Sequence, residues 1–522
     1  MKNRLILKSS PKIFQNYKSD VPTKTILNSK SFLANIGINL NKLKYSSHTI
    51  KDGKFSIYVS AITYDNIFIS SGKGLSYLLA EASAYSEAVE RVAVGISPLI
   101  PFANEPAYFQ KRQDLLGYTV GKQSRIKNAV DVKRFFRFFP SVPTGKLKTV
   151  KLCQCWASAF SLKDDRYKKI PHLLAGYISS SNGCAAGNTL EEAISQAFCE
   201  VCERYSLSEH MLKRLPAPTI DPDSVEDKNV HSAIELFNSM NIDVEIKDLS
   251  LGNKIPVVGV LFTNQNLARE KNTIRKKLFF KTLNVGSHLD LSHAILRCFS
   301  EKIQVENGDQ DRLMYHREIK VLDDYFSQKE KEEIVKRVSG KKHLLPMLSL
   351  SKSFDDFSYL DKAKRKISLS KLESHKTKDF LEDIEIMKGI SKNNNWDSLI
   401  VDYSTPQLPL KVVRVVIPSV SDTLRCRHPF PARTTDIFKA VSISLADERK
   451  KARKLIDIFE ENLLDEVVQL SPQTLKEDYR SSESLLILLG LYLLSKDKKK
   501  SAKIAELMGQ YLPPLTTLFK NN

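Results

Sequence analysis

The sequence predicts an α+β fold in which mixed sheets and helices extend to residue 432 and an all-helical region follows. Residues 55–65 (FSIYVSAITYD) alternate in the manner of a half-buried strand. Leu75–Gly95 is rich in Ala and ends at a glycine, which is typical of a helix and its C-terminal stop. After about residue 433 the strand patterns disappear. We therefore expect an N-terminal extension (1–45), a large α+β domain (46–432) and a helical C-terminal domain (433–522).

The large domain contains further elements in chain order. IFISSG, directly after residues 55–65, predicts a second strand, and residues 173–183 (LLAGYISSSNG) predict a strand that runs into a polar loop. Thr189 is expected to cap a helix that continues to about Met211, because acidic side chains fill its first turn, where the helix dipole favours them. The remaining predictions are an apolar strand at 255–262, a helix at His293–Val305 and a late strand at 412–418.

The C-terminal region predicts three or four helices, including Ile437–Phe459, Leu475–Leu494 and Ser501–Met508. One stretch resembles a single helical hairpin of the tetratricopeptide kind, whereas a full array needs several copies at a fixed period. Two roles remain open for this region. It either packs against the large domain or docks a partner protein.

Composition excludes several classes of protein. The net charge is +20, but the lysines are spread along the chain and no stretch interleaves basic and aromatic residues, so a solvated basic surface is favoured over a nucleic-acid interface. Seven cysteines form an odd set in a long chain, which argues against a disulfide framework and is consistent with a reducing cytoplasm. No segment has the apolar length of a membrane span or a signal peptide.

One chemical pattern occurs twice, as Glu87-x-x-Glu90-Arg91 and as Glu200-x-x-Glu203-Arg204, each on a predicted helix. Residues at i and i+3 share a helix face, so each copy presents two carboxylates with an arginine beside them. A single copy would indicate only a solvated helix face. Small apolar residues flank both copies, however, and buried like charges are costly unless a cation neutralises them. The four carboxylates therefore suit Mg²⁺, which is usually held by carboxylates and substrate phosphates.

Loops of small residues precede both helices. Residues 181–189 lead into the second helix, and free backbone N–H groups at a helix N-terminus favour anions such as phosphate. Ser71-Gly72-Lys73-Gly74 precedes the first helix and offers a cation, although it is not a phosphate-binding loop of the Walker A type. A third predicted helix carries Arg297, Glu301 and Gln304 at i, i+4 and i+7.

On the basis of these motifs, the chain resembles the YcaO superfamily over most of residues 50–430. Its signature Ser-x3-Glu-x2-Glu-Arg is met by Ser83, Glu87, Glu90 and Arg91. A second signature, Ser-x6-Glu-x3-Gln, is met by Glu192 and Gln196, but Ala185 stands where the family has Ser. The resemblance implies ATP and Mg²⁺ as cofactors, with Glu87, Glu90, Glu200 and Glu203 around the metal. It implies nucleotide contacts from Lys73, Ser83, Arg91, Asn188, Glu192, Gln196, Arg204, Arg297 and Glu301.

The resemblance also implies an activity: ATP-dependent activation of a peptide-bond carbonyl, which gives an azoline with a side-chain nucleophile or a thioamide with sulfide. Azoline-forming members typically end in a Pro-x-Pro-x-Pro tail, whereas this chain has only Pro513-Pro514 near its end. This difference favours a thioamide synthetase over a cyclodehydratase. The implied partners are a peptide or protein substrate, a sulfur-delivery (TfuA-like) or leader-peptide-binding protein, and a second copy of the chain in a homodimer.

Some residues of this chain permit other interpretations. Cys153, Cys155, Cys199 and Cys202 have the ligand types of a zinc site, but the last two lie in a predicted helix and are better explained as small buried apolar residues. His293 and His428 are interpreted as structural. Asp309, Asp311 and Arg312 form a charged loop that is either solvated or borders the substrate channel. The main functional alternative is a non-catalytic accessory or peptide-binding protein of the same fold, which Ala185 favours.

Overall fold

The computed structural model describes residues 5–94, 116–135, 155–269, 280–307 and 357–421, with short gaps at 16, 37, 39–41, 51–52, 65–66, 117–118, 121–122, 180 and 364. The predicted C-terminal helices, the Pro513-Pro514 pair, Cys153, His428 and the charged loop at Asp309–Arg312 lie outside these residues. The proposed domain boundaries and the tetratricopeptide-like character of the C-terminal region therefore stay predictions.

The α-helices of the described residues are α1 (Pro22–Asn35), α2 (Tyr77–Val94), α3 (His172–Ser179), α4 (Leu190–Lys213), α5 (Lys228–Ser239), α6 (Leu291–Asn307) and α7 (Phe380–Asn393). Short 3-10 turns occur at Gln123–Arg125, Val132–Phe135, Pro222–Ser224, Gln265–Leu267, Leu360–Lys362 and Leu369–Lys371. None of the helices in this part of the chain has the length and sustained apolar composition needed to cross a bilayer.

The strands are β1 (Lys42–Thr49), β2 (Ser56–Tyr64), β3 (Ile67–Gly74), β4 (Thr119–Val120), β5 (Cys155–Ser161), β6 (Arg166–Pro171), β7 (Cys184–Gly187), β8 (Thr219–Ile220), β9 (Ile242–Asp248), β10 (Val257–Asn264), β11 (Lys281–Ser287), β12 (Lys366–Ile367), β13 (Leu399–Asp402) and β14 (Lys411–Val416). They form a three-stranded sheet in the order β1-β2-β3, a five-stranded sheet β11-β10-β9-β8-β12, and a six-stranded sheet β4-β5-β13-β14-β7 in which β6 pairs with β5. This mixture confirms the predicted α+β class.

The six-stranded sheet is buried on both faces. Along β14, Val412 and Val416 join one apolar core, whereas Val413 and Val415 join a second. The first core also contains the inner face of α2, and the second contains the inner face of α4. The two helices that carry the Glu-x-x-Glu-Arg copies therefore lie on opposite faces of this sheet, close to its edge strand β7.

A third core joins the five-stranded sheet to α5 and α6. It contains the ring cluster of Phe237, Phe262 and Phe299, whose centroids are 4.8 to 5.7 Å apart. Ile57 and Val59 of β2 also belong to it. The three-stranded sheet and the five-stranded sheet thus share α6, which packs against the face of the three-stranded sheet opposite to α2.

One predicted element is wrong. Residues 173–183 were expected to form a strand, but His172–Ser179 is the helix α3. The run is apolar without alternation, and a short run of this kind does not distinguish a strand from a buried helix. Local contacts favour the helix: Ser179 Oγ donates to the carbonyl of Ala175 (2.6 Å), and His172 Nε2 lies 2.6 Å from the Tyr403 hydroxyl.

Candidate functional site

Three helices dock very closely on the strands that precede them. Each contact occurs at a glycine, where a Cβ atom would lie 2.0 to 2.6 Å from helix backbone. The pairs are Gly72 of β3 with Ala80 of α2, Gly187 of β7 with Ala193 of α4, and Gly286 of β11 with Ala294 of α6. The predicted helices therefore rest directly on their strands, with their charged residues one to three turns further along.

The first Glu-x-x-Glu-Arg copy forms one ion-paired unit. Arg91 pairs with both Glu87 (2.9 Å) and Glu90, and the Ser71 amide donates to Glu87 (3.4 Å). Glu90 is only 7% exposed. Burial raises the pKa of Glu90 to about 7; the charges of Glu200 and Glu87 act in the same direction, and Arg91 opposes them. Glu90 is therefore a carboxylate whose negative charge is poorly compensated without a further cation.

The second copy has the same arrangement on α4. The Thr189 side chain caps this helix by accepting from the Glu192 amide, as predicted. Arg204 Nε lies 3.6 Å from Glu203 and 4.0 Å from Glu200, and the Gly183 amide donates to Glu200 (3.0 Å). Burial raises the pKa of Glu203, and the charges of Glu301 and Glu200 add to this effect against Arg204 and Arg297.

The third helix, α6, contacts both α4 and the strand β3 that precedes the first copy. Arg297 Nη2 of α6 lies 3.9 Å from Glu203 of α4, and Lys73 Nζ of β3 lies 3.5 Å from Glu301 of α6. Gln304 also donates to the backbone carbonyl of Ser71 (3.1 Å). These contacts place β3, α4 and α6 around one charged region.

The acidic residues of the two copies thus form a single cluster. The charge of Glu200 on α4 contributes to the raised pKa of Glu90 on α2, so the two helices bring these two carboxylates within interaction range. Within the described ranges, no group of three His, Cys, Asp or Glu side chains is already arranged as a metal cage. The carboxylates of both copies form ion pairs with arginine side chains instead. The donor set still fits Mg²⁺, which prefers carboxylate oxygens and completes its shell with phosphate and water.

The remaining predicted residues lie on the same elements. Ser83 is one turn before Glu87 on α2, and Gln196 lies between Glu192 and Glu200 at i+4 spacing on α4. Ala185 of β7 is fully buried in the core shared with α4. The position that holds Ser in the family signature therefore contributes apolar contact in this chain.

Sequence reasoning missed the N-terminal segment, which we define as residues 8–25. Lys18 Nζ pairs with Glu192 (3.1 Å), and Ser19 donates to the same carboxylate through its amide and its hydroxyl. Asn188 donates to Glu192 from its amide (3.2 Å) and side chain (3.3 Å), and it accepts from Thr25 (2.8 Å). Two predicted nucleotide residues are thus held by the N-terminal segment, which carried no motif that would reveal this.

The N-terminal segment is anchored by a buried ion pair. Lys12 Nζ lies 2.9 Å from Asp383 of α7, with both side chains at most 2% exposed. Asp383 also accepts from Ser195 of α4 (3.0 Å), and the Ser10 amide donates to Asp379 (2.8 Å). The segment therefore joins the N-terminal ends of α4 and α7.

The cysteines near the site are buried, and His293 packs against two other rings. Cys184, Cys199, Cys202 and Cys298 are buried, and burial raises the pKa of Cys199 to about 12. Cys199 and Cys202 belong to the core beneath α4. His293 is close to Tyr17 and His288, with ring centroids 5.0 and 5.1 Å away. These groups are integrated in the structure, as expected for small apolar and structural residues.

Curated relatives of this chain include an uncharacterised protein of Methanothermobacter thermautotrophicus, which is 23% identical over 71% of this chain and 83% of its own length. The ribosomal protein S12 methylthiotransferase accessory factor YcaO of Escherichia coli is 33% identical, but over only 19% of this chain and 17% of its own length. A Rhizobium leguminosarum protein encoded in the tfuA 3′ region is 24% identical over 47% of this chain and 53% of its own length.

Solved structures with a similar fold include a heterocyclase in complex with substrate and cofactor. That similarity has a TM-score of 0.56 and 20% identity, and it covers 80% of this chain and 55% of the heterocyclase. The YcaO protein from Methanopyrus kandleri bound with AMPPCP and Mg²⁺ gives a TM-score of 0.50 and 16% identity over 79% of this chain and 94% of that chain. At sequence identities this low, the similarity between the structures shows a shared fold and no more.

The match to a protein-family model establishes the family to which this chain belongs. The model described as YcaO cyclodehydratase, ATP- and Mg²⁺-binding, matches residues 71–421. This range contains both Glu-x-x-Glu-Arg copies, the third helix and β14, which are the elements that surround the charged cluster. The chain belongs to the YcaO family, whose domain binds ATP and Mg²⁺.

Proposed function

We propose that this chain uses ATP and Mg²⁺ to phosphorylate the carbonyl oxygen of a peptide bond to which a nucleophile adds, and that release of phosphate leaves a thioamide or an azoline in a peptide or protein. The observation that carries the proposal is the carboxylate cluster that α2 and α4 form, with arginines on both sides. Such a site suits phosphoryl transfer, which needs positioning and charge neutralisation rather than a protein nucleophile.

In this proposal each group has a role that its surroundings support. Glu87, Glu90, Glu200 and Glu203 would hold the metal, because poorly compensated carboxylates gain most from a divalent cation. Mg²⁺–ATP would supply the phosphoryl group that turns the carbonyl oxygen into a leaving group. Arg91 and Arg204 would exchange their carboxylate partners for phosphate oxygens. The other nucleotide contacts would come from Lys73, Ser83, Asn188, Glu192, Gln196, Arg297 and Glu301.

The test is calorimetry of ATP binding with and without Mg²⁺. Wild-type protein should bind ATP more tightly with Mg²⁺, and Glu200→Gln should lose this dependence because one metal ligand loses its charge. Glu235→Gln, on the exposed face of α5, is the matched control and should behave as wild type. Unchanged Mg²⁺-dependent affinity in Glu200→Gln would contradict the assignment.

We favour thioamide formation over azoline formation, because one relative is encoded in the tfuA 3′ region and a TfuA-like protein is the expected source of sulfur. Mass spectrometry of a modified peptide distinguishes the two products. A thioamide exchanges oxygen for sulfur, whereas an azoline loses one water. A sulfur-delivery or leader-peptide-binding protein, a peptide substrate and a homodimeric state belong to the same proposal; one curated relative is encoded beside tfuA.

The alternative is a non-catalytic accessory protein with the same fold. Ala185 favours it, because a hydroxyl of the family signature is replaced by an apolar contact. Phosphate release discriminates between the two functions. An enzyme should hydrolyse ATP faster when its peptide is present, whereas an accessory protein binds peptide or partner without turnover.

A further inference from the structure

The strand β3 is tied to the helices on both of its faces at one residue, Ser71. Among the described strands β3 pairs only with β2, so no described strand covers its other edge. In an antiparallel pair the N–H and C=O groups of one residue point to the same side. Both groups of Ser71 bond to side chains: the amide donates to Glu87 of α2 (3.4 Å), and the carbonyl accepts from Gln304 of α6 (3.1 Å). Two helices therefore satisfy the open edge of the sheet at this residue.

The same short stretch of β3 alternates between the two helices. Gly72 faces α2, because a Cβ atom there would lie 2.0 Å from the backbone of α2. Side chains alternate along a strand, so Ser71 and Lys73 face α6. Gln304 Nε2 lies 2.5 Å from Ser71 Oγ, and Lys73 Nζ lies 3.5 Å from Glu301. Glu301 and Gln304 share one face of α6 at i, i+3 spacing, and this face therefore holds two side chains of β3.

The contacts of Glu87 show what this arrangement supports. One carboxylate oxygen pairs with Arg91 (2.9 Å), and the other accepts from the Ser71 amide. The Arg91 side chain is 24% exposed and has room to turn towards another partner, whereas a backbone amide moves only with its strand. When Arg91 changes partner, the Ser71 amide still fixes the direction of the carboxylate. The position of Ser71 therefore matters to Glu87, and Gln304 holds that position from the other face of the sheet.

We propose that Gln304 is a positioning residue of the candidate nucleotide site. By holding Ser71, it keeps the Ser71 amide aimed at Glu87 and keeps Lys73 against α6. This inference rests on the proposed function, in which Glu87 holds Mg²⁺ and Lys73 contacts the nucleotide. A neutral amide suits the task, because it donates to the Ser71 carbonyl without adding a charge that would compete with carboxylates or phosphates. Gln304 thus acts through Ser71 rather than on the nucleotide.

The experiment measures binding of a non-hydrolysable ATP analogue across a Mg²⁺ titration, for wild type, Gln304→Ala and Gln304→Met. Both substitutions remove the donor; alanine favours the helix, and methionine keeps most of the side-chain volume. Loss of a group that orients a metal ligand typically costs about 10- to 100-fold in metal affinity, so both variants should need roughly tenfold more Mg²⁺ for half-maximal binding. Gln265→Met is the matched control, since it removes an exposed glutamine that donates to Asp243.

A second measurement follows the Ser71 amide itself. Hydrogen exchange of the nucleotide-free protein is read by mass spectrometry on peptides that contain Ser71. Exchange should be faster in both Gln304 variants than in wild type and in Gln265→Met, because the edge of β3 loses one of its two ties. Thermal unfolding of the same samples shows whether each variant is folded.

A higher Mg²⁺ requirement together with faster exchange supports the inference. A folded variant with the wild-type Mg²⁺ midpoint would overturn it even when the melting temperature falls, because a merely structural glutamine changes stability and not metal binding. Unchanged exchange would also overturn it, since Ser71 would then be held without Gln304. If one variant does not fold, the other decides by the same criteria. Absence of Mg²⁺-dependent binding in wild type would instead refute the proposed function, on which this inference depends.

Discussion

At the scale of single residues, the site is a set of carboxylates that are largely shielded from solvent. Glu90 and Glu203 are both less than 10% exposed, and in each case burial is the largest cause of the raised pKa. Such groups destabilise a protein unless cations compensate them. Each of them already has an arginine neighbour, which compensates its charge in part. Binding a metal and a nucleotide would then be an exchange of ion-pair partners rather than the filling of an empty cage.

Two partly buried histidines, His288 and His293, should make stability depend on pH. Burial lowers the pKa of His288 and His293 below the ordinary value, and Lys12 acts in the same direction on both. Folding therefore requires the neutral rings, whereas the unfolded chain takes up protons below pH of about 6.5. Stability is fully present above that pH and should fall on acidification, by at most about 1.4 kcal/mol per pH unit for each ring.

The measurement is the melting temperature of wild type and His293→Phe at pH 7.5 and 5.5. Phenylalanine keeps a ring against Tyr17 and removes one titrating group, so the variant should lose less stability on acidification. Parallel losses in the two proteins would show that His293 does not contribute to the acid transition.

Reasoning from the sequence identified the site residues that belong to a local sequence pattern. Glu87, Glu90, Glu200 and Glu203 stand at i, i+3 spacing on helices with apolar flanks, and such spacing is visible in one dimension. Lys18 and Ser19 reach Glu192 only through tertiary structure, across more than 170 positions.

At the scale of elements, the periodic signals were sufficient where one face of an element is apolar. The alternation in β2, the length of α2 and the Thr189 cap of α4 all predicted their elements correctly. The periodic signals failed for α3, because its apolar residues do not recur at a regular spacing. There the outcome depends on Pro171 at the end of β6 and on contacts with β13 and its neighbour Tyr403, which only the folded chain provides.

The glycine contacts beneath the three helices should be intolerant of side chains. At Gly72 a Cβ atom would lie 2.0 Å from the Ala80 carbonyl, so α2 would have to move away from β3. Gly72→Val should therefore cost about 1–3 kcal/mol or more in unfolding free energy, as overpacked positions do. It should also weaken nucleotide binding, because Glu87 and Glu90 move with α2.

Urea unfolding of Gly72→Val and Gly252→Ala provides the comparison. Nothing lies within 4 Å of a Cβ atom at Gly252, whose positive φ makes alanine strained but not crowded. A smaller loss in Gly72→Val than in Gly252→Ala would mean that α2 adjusts easily and that the close contact is not required.

At the scale of the whole molecule, the buried Lys12–Asp383 pair joins parts of the chain that are 371 residues apart. Asp383→Asn should leave Lys12 as an uncompensated buried charge, which costs about 3–5 kcal/mol. Because Lys18 and Ser19 follow Lys12 closely, the N-terminal segment should also become easier to cleave by proteases.

Asp20→Asn is the matched control for this variant. Asp20 pairs with the exposed Lys24 at i+4, and such surface pairs are worth only about 0.3–0.5 kcal/mol. Unfolding in urea and limited proteolysis should thus separate the two variants clearly. Equal stabilities would show that Lys12 finds other partners or reaches solvent.

The long separation between Lys12 and Asp383 also has a consequence during translation. At about 5–20 residues per second, Asp383 leaves the ribosome roughly 20 to 75 s after Lys12. Throughout that time the N-terminal segment lacks its counter-charge, and from its own synthesis onward β7 lacks the strand β14 that covers its edge. Until β14 is made, the nascent chain therefore carries an open strand edge and unburied apolar surface, which makes it a natural client of chaperones that act at the ribosome.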